Sequence, residues 1–160
     1  MEVAAFLKTW LGSAGAERAN KDSFLKDLGD VMGVPHPNPK TGDPIADAYV
    51  FERDAITPRA GETTTTKFID LYKDGCFVLE AKQGSTAVSP KLGTARRDTA
   101  GWTFAMKEAY GQALGYARTF DRPPPFVIVV DIGHCFDLYA SFDGSWNYAP
   151  FPDAQHNRLY

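Results

Sequence analysis

The chain has 160 residues, 44% hydrophobic and 13% aromatic, enough apolar material for one globular domain with a real core and no reason to divide it. A formal net charge of −3 excludes a protein that grips nucleic acid through overall charge, because affinity for a polyanion comes mainly from displaced counterions. No apolar run reaches roughly 18 residues and no basic stretch precedes an apolar one at the N-terminus, so neither a membrane span nor a signal peptide is expected, and the expected location is cytoplasmic.

In chain order, residues 3–11 predict a short helix with Val3, Phe6, Leu7 and Trp10 on one face, broken by Gly12 and Gly15. A second helix is expected over residues 16–32, with Phe24, Leu25, Leu28, Val31 and Met32 as its buried stripe and Gly33 as its stop. Glu17 lies in its first turn, where it either complements the helix dipole or adds a metal ligand. Four prolines between Pro35 and Pro44 make residues 34–46 an irregular connection. Residues 49–56 read as a first strand, with Glu52 a solvent-side or ion-paired residue and a minor ligand candidate. A break at 58–62 and the β-prone threonines at 63–66 lead into the next strand.

Residues 68–83 hold the most informative pattern, two apolar runs joined by Asp74-Gly75, a strong hairpin signal. A three-residue loop Lys73-Asp74-Gly75 sets Tyr72 opposite Cys76 and Asp70 opposite Val78. Glu80 then lies one diagonal step from Asp70, a backbone separation of about 7 to 8 Å. Glu80 and Lys82 share its face. Two carboxylates and an ammonium in an otherwise apolar sheet are costly to bury without a counter-ion. Oxygen ligands with no nearby His or Cys favour Mg²⁺ or Mn²⁺ over Zn²⁺. Such parts suit phosphodiester hydrolysis: the metal polarises the phosphate and acidifies water, and Lys82 holds that water and offsets developing charge. The plainer alternative, a surface ion pair of Glu80 and Lys82 on an edge strand, sits poorly with the surrounding Phe77, Val78, Leu79 and Ala81.

Beyond Lys82 a polar loop carries Lys91, Arg96 and Arg97, read as DNA-phosphate contacts or as a solvated charged loop. From an N-cap at Asp98 or Thr99 a helix is expected to run to about Phe120, anchored by Trp102, Met106 and Tyr110. Ala105, Ala109, Gln112 and Tyr116 fall on a neighbouring face, from which Gln112 and Tyr116 either support the carboxylates or form a plain buried hydrogen bond. Pro123 to Pro125 stop the helix, residues 126–130 read as a strand covered on both faces, and residues 135–140 give one more strand. The tail from 146 to 160 is aromatic and proline-rich with no clear ending signal. Cys76 and Cys135 read as reduced core residues, and His36, His134 and His156 lack metal spacing.

The order helix, strand, Asp70 strand, Glu80-x-Lys82 strand, helix, strand, strand resembles the plan of the PD-(D/E)XK nuclease superfamily, with Ile69 in place of the eponymous proline. Gln112-x-x-x-Tyr116 is similar to the element that follows the motif in its RecB-like branch. More closely, Gly15-Ala16-Glu17-Arg18-Ala19-Asn20, Ala48-Tyr49-Val50-Phe51-Glu52-Arg53, residues 68–84, Gly93-Thr94-Ala95-Arg96-Arg97 and Tyr148-Ala149-Pro150-Phe151-Pro152-Asp153 resemble the N-terminal region of MmeI-like type IIL restriction-modification enzymes.

The resemblance implies an α/β, restriction-endonuclease-like core with a mixed central sheet flanked by helices, built as one nuclease domain with a helical region over residues 1–46, a sheet and helix core over 47–142 and a tail over 143–160. It also implies a Mg²⁺ site of Asp70, Glu80 and the Ala81 backbone carbonyl, with Mn²⁺ able to substitute. In that family one polypeptide joins the nuclease to a helical spacer, an adenine-N6 methyltransferase and a target-recognition domain. This chain has no SAM-binding glycine motif and no Asn-Pro-Pro-Tyr, so the resemblance implies the nuclease region alone, with SAM and the reading of double-stranded DNA belonging elsewhere. The expected function is a Mg²⁺-dependent DNA endonuclease domain of a restriction-modification or phage-defence methyltransferase protein. The alternative is a silent nuclease-fold module serving as a DNA-binding or docking platform, and a stand-alone exonuclease or resolvase would need stronger basic charge.

Overall fold

A computed structural model of the chain describes residues 1–13, 16–57, 65–86 and 94–160. Three helices and a mixed sheet make it an α/β protein, in the order α1 (Val3–Trp10), α2 (Glu17–Met32), β1 (Tyr49–Thr57), β2 (Thr65–Lys73), β3 (Phe77–Lys82), α3 (Ala100–Ala117), β4 (Phe126–Asp131), β5 (Cys135–Ala140), β6 (Ala149–Pro150) and β7 (Arg158–Leu159). The sheet runs β1-β2-β3-β4-β5-β6, with β7 also on β5. Every pairing is antiparallel except β3 with β4, which α3 joins as a crossover. Among the described residues no helix is long and apolar enough to cross a membrane.

The helix boundaries follow local chemistry. Gly33 adopts the left-handed conformation at φ 66°, and the N–H of Val34 returns to the Gly29 carbonyl at 3.0 Å, ending α2. Thr99 caps α3 by accepting from the Trp102 N–H at 3.3 Å. The tail, which carries no periodic pattern, is pinned by β6 and β7 and by a two-pronged ion pair of Arg158 with Asp137, both contacts at 2.6 Å.

Alternation along β3 divides the core. Leu79 and Ala81 join Trp10, Phe24 and Leu25 beneath α1 and α2, whereas Val78 packs with Ala113, Tyr116 and Ala117 of α3. The same alternation gives Glu80 and Lys82 to the α3 side. The β1–β2 pair departs from simple alternation. Phe51 and Leu71 pack toward α2, but Ala55 and Ile69 pack toward α3, so both strands exchange faces between these positions. Phe51 pairs with Leu71 and Arg53 with Ile69; the step between them holds Glu52, at φ 53°, and Asp70.

The hairpin turns one residue later than expected. Lys73 pairs with Tyr49 and Phe77, keeping it in the strand, so the loop is Asp74-Gly75-Cys76 with Gly75 at φ 62°. Tyr72 therefore faces Val78, not Cys76, and the same register continued sets Asp70 directly opposite Glu80 instead of on the diagonal. Cys76 is a half-buried turn residue rather than a core one; Cys135 is buried, and both are free thiols.

Candidate active site

The β2–β3 ladder stops at Leu71 and Leu79. One step further the Asp70 side chain takes the place of a backbone partner, its Oδ2 accepting the Ala81 N–H at 2.8 Å. The strands part there, while β3 stays fixed on its other side by pairing Glu80, Ala81 and Lys82 with Val129, Val130 and Asp131. A strand residue points its N–H and C=O to the same side, so the Ala81 carbonyl also faces the gap beside Asp70. Asp70, Glu80, Lys82 and the Ala81 backbone thus meet where two strands diverge.

The electrostatics of this gap are unbalanced at Glu80. Its carboxylate is buried, Oε1 accepts from the Lys82 Nζ at 2.8 Å, and Oε2 has no hydrogen-bond partner among the described residues. Burial, and then the Asp70 charge, push its pKa up to about 7 against the pull of Lys82. Burial alone would lower the Lys82 pKa, but Glu80, Glu17 and Asp70 raise it, so the side chain remains an ammonium. Burial raises the pKa of Glu17, which lies within the fields of Lys82, Asp70 and Lys21.

Lys21 is the residue that sequence reasoning missed. It is buried on α2, and its Nζ donates to Asp70 Oδ1 at 2.7 Å and to the Glu52 carboxylate. Burial would lower its pKa, yet the bonds to Asp70 and Glu52 hold it above the ordinary lysine value. A signal was present: Glu17, Lys21, Phe24, Leu25 and Leu28 share one helical stripe, and a lysine inside an apolar stripe calls for a buried partner.

Gln112 Nε2 donates to the Tyr116 hydroxyl at 2.6 Å, and both line a cleft of about 510 Å³ together with Lys82 and Lys67. Burial, and the charges of Glu80 and Asp70, raise the Tyr116 pKa, so the phenol stays protonated and faces the carboxylates' field. Ala105, Gly111 and Gly115 leave this cleft open along α3.

The expected phosphate patch needs correction. Arg97 is 8% exposed and forks onto Asp131, with Nε to Oδ2 at 3.0 Å and Nη2 to Oδ1 at 2.9 Å. Asp131 is fully buried and also accepts from the Gly84 N–H at 2.9 Å and from Trp102 Nε1 at 2.8 Å. Arg97 is thus the counter-ion that lets this carboxylate be buried, and it cannot reach a phosphate. Arg96 remains exposed, and Lys91 lies outside the described residues. His36, His134 and His156 each sit against one carboxylate, of Asp30, Asp98 and Asp153, and none joins the Asp70 cluster.

The family described as "MmeI, N-terminal domain" matches residues 1–158. The chain belongs to that family. No curated protein and no solved structure matches it. Membership in the MmeI N-terminal domain family gives the chain a restriction-modification context, the domain of that family being the N-terminal part of a larger protein of that kind.

Whether the residues of this MmeI-type domain fit a divalent cation can be tested on their own chemistry. Among the described residues no three His, Cys, Asp or Glu side chains gather as a metal cage. Two carboxylates and a carbonyl do suit Mg²⁺, which keeps several waters and is bound through one or two carboxylates and substrate phosphate. The orphaned Glu80 Oε2 supplies a lone pair with no other use. The residues fit.

Proposed function

We propose that this domain is a restriction-endonuclease-like PD-(D/E)XK module that hydrolyses double-stranded DNA with Mg²⁺ or Mn²⁺ in a larger restriction-modification protein. The observation that carries the reading is the gap at the end of the β2–β3 ladder: Asp70 caps Ala81, Glu80 keeps a buried oxygen without a partner, and Lys82 stands beside it. Asp70, Glu80 and the Ala81 carbonyl would hold the cation, which supplies Lewis acidity to the phosphate and lowers the pKa of the attacking water. Lys82, protonated and within hydrogen-bond reach of Glu80, orients that water and offsets the charge developing on the phosphorane oxygens. Tyr116, held by Gln112, offers a neutral hydroxyl along the cleft wall, and Lys67 at the same cleft offers a cation to the DNA backbone. Glu17 borders the site from α2 through its field on Lys82 and Asp70 and is a further ligand candidate.

The test is plasmid nicking by the full polypeptide that carries this domain, with Asp70→Ala, Glu80→Ala and Lys82→Ala each compared in Mg²⁺ and Mn²⁺. Each variant is expected to lose at least about a hundredfold in rate. Cleavage at the parental rate by any of the three would remove that residue from the chemistry.

A second reading, a silent platform for the methyltransferase, is favoured by one feature: Lys21 and Lys82 already neutralise the two carboxylates. It requires the carboxylates to bind no cation, which metal titration decides.

A further inference from the structure

Lys21 reaches from α2 to two carboxylate partners, Asp70 and Glu52. Its second partner is delivered at a cost. Glu52 sits at φ 53°, a left-handed conformation uncommon outside glycine, at the step where β1 and β2 exchange faces. That exchange is what brings the Glu52 carboxylate to Lys21. Glu52 is itself 45% exposed in its side chain, whereas that of Lys21 is 9% and that of Asp70 14% exposed. An ion pair meant only to hold α2 against the sheet needs one carboxylate. Two allow the ammonium to leave one without being stranded in the core.

We propose that Lys21 is a positioning residue that screens Asp70 when no cation is present and, resting on Glu52, gives up Asp70 when a divalent cation binds. The inference rests on the cation-binding reading of Asp70 and Glu80. Lys21 Nζ contacts the very oxygen, Oδ1, that the Ala81 N–H leaves free, so ammonium and cation compete for it. Glu52 decides the outcome by offering Lys21 an alternative partner. The competition sets how much cation the domain needs, and Glu52 lowers that requirement.

Calorimetric titration of Mn²⁺ into the chain, with Asp70→Asn and Glu80→Gln as site controls, tests this without DNA or turnover. Lys21→Gln removes the competitor and is expected to bind Mn²⁺ at least about tenfold tighter than the parent. Glu52→Gln removes the resting place, ties Lys21 to Asp70, and is expected to bind several-fold more weakly. The double variant Lys21→Gln/Glu52→Gln removes one charge of each sign, so it keeps a balanced interior even if Lys21→Gln alone does not fold. It is expected to bind as tightly as Lys21→Gln. A merely structural role would weaken binding in both single variants. Weaker or unchanged binding on removal of Lys21, with Asp70→Asn still abolishing binding, overturns the inference and leaves the cation site standing. A double variant weaker than the parent makes Glu52 a ligand and also overturns it. Absence of any Asp70-dependent binding in the parent overturns the site reading together with this inference, whereas tight binding without DNA cleavage overturns only the nuclease reading.

Discussion

Glu80→Gln is expected to stabilise the cation-free protein, and to do so more at high pH than at low. The folded-state pKa of Glu80 is raised from 4.5 to about 7, first by burial and then by Asp70. Between these values the folded protein binds more protons than the unfolded one, so stability falls as pH rises through this window and the loss is complete above pH 7. The difference corresponds to on the order of 3 kcal/mol. Glutamine keeps an acceptor for Lys82, removes the charge, and gives the unpartnered Oε2 position an amide of similar size. The pull of Lys82 is already contained in that raised pKa, so it takes nothing further from the gain. A gain of about 3 kcal/mol at pH 8.5 would raise Tm by roughly 6–12 °C for a domain of this size, with little gain at pH 4.5. Thermal melts in EDTA across that range measure it. A variant less stable than the parent at pH 8.5, or a difference that does not grow with pH, would show that Glu80 is a satisfied structural carboxylate and refute the electrostatic account.

Asp70→Ala should behave oppositely, losing about 1–3 kcal/mol in EDTA, because the Ala81 N–H and Lys21 both lose an acceptor. Arg97→Ala is expected to lose about 3–5 kcal/mol by stranding buried Asp131, seen as a lowered denaturant midpoint, with no change in the salt dependence of DNA binding. Gly84→Ala should cost about 1–3 kcal/mol in the same assay, since a Cβ there would lie 2.8 Å from both Arg97 Cγ and Asp131 Oδ2. With Arg97 excluded, Lys67, Lys91 and Arg96 leave about three phosphate contacts, so duplex binding by the chain alone should be weak, without sequence preference, and have a log-log salt slope near −3 by gel shift. Tight binding to one sequence at moderate salt would show that the domain reads DNA itself.

The helices, the five longer strands and the meeting of Asp70 with Glu80 were legible because each rests on local pattern: helical stripes, a Gly33 stop, Asp74-Gly75 between apolar runs. The hairpin register was not, because Asp74-Gly75 accommodates several loops and the pairing of Lys73 with Tyr49, a non-local contact, chose among them. The face exchange at Glu52 and Asp70 broke the strict alternation that strand reasoning assumes. The partners of Asp70 were not legible either, because Lys21 lies 49 residues away in sequence and the Ala81 N–H is freed for it only where the β2–β3 ladder ends. Arg97 was misread because a basic loop residue and a buried counter-ion look alike until Asp131, distant in sequence, is placed beside it. The two-residue strands of the tail carry no periodicity to detect.

Crystals of the chain soaked in Mn²⁺, with anomalous scattering used to place the ion, test the central claim most directly. The account predicts one peak in the gap between β2 and β3, bound by Asp70, Glu80 and the Ala81 carbonyl, with Lys21 withdrawn to Glu52. Saturating Mn²⁺ that leaves Lys21 on Asp70 and no peak between the two carboxylates would contradict it.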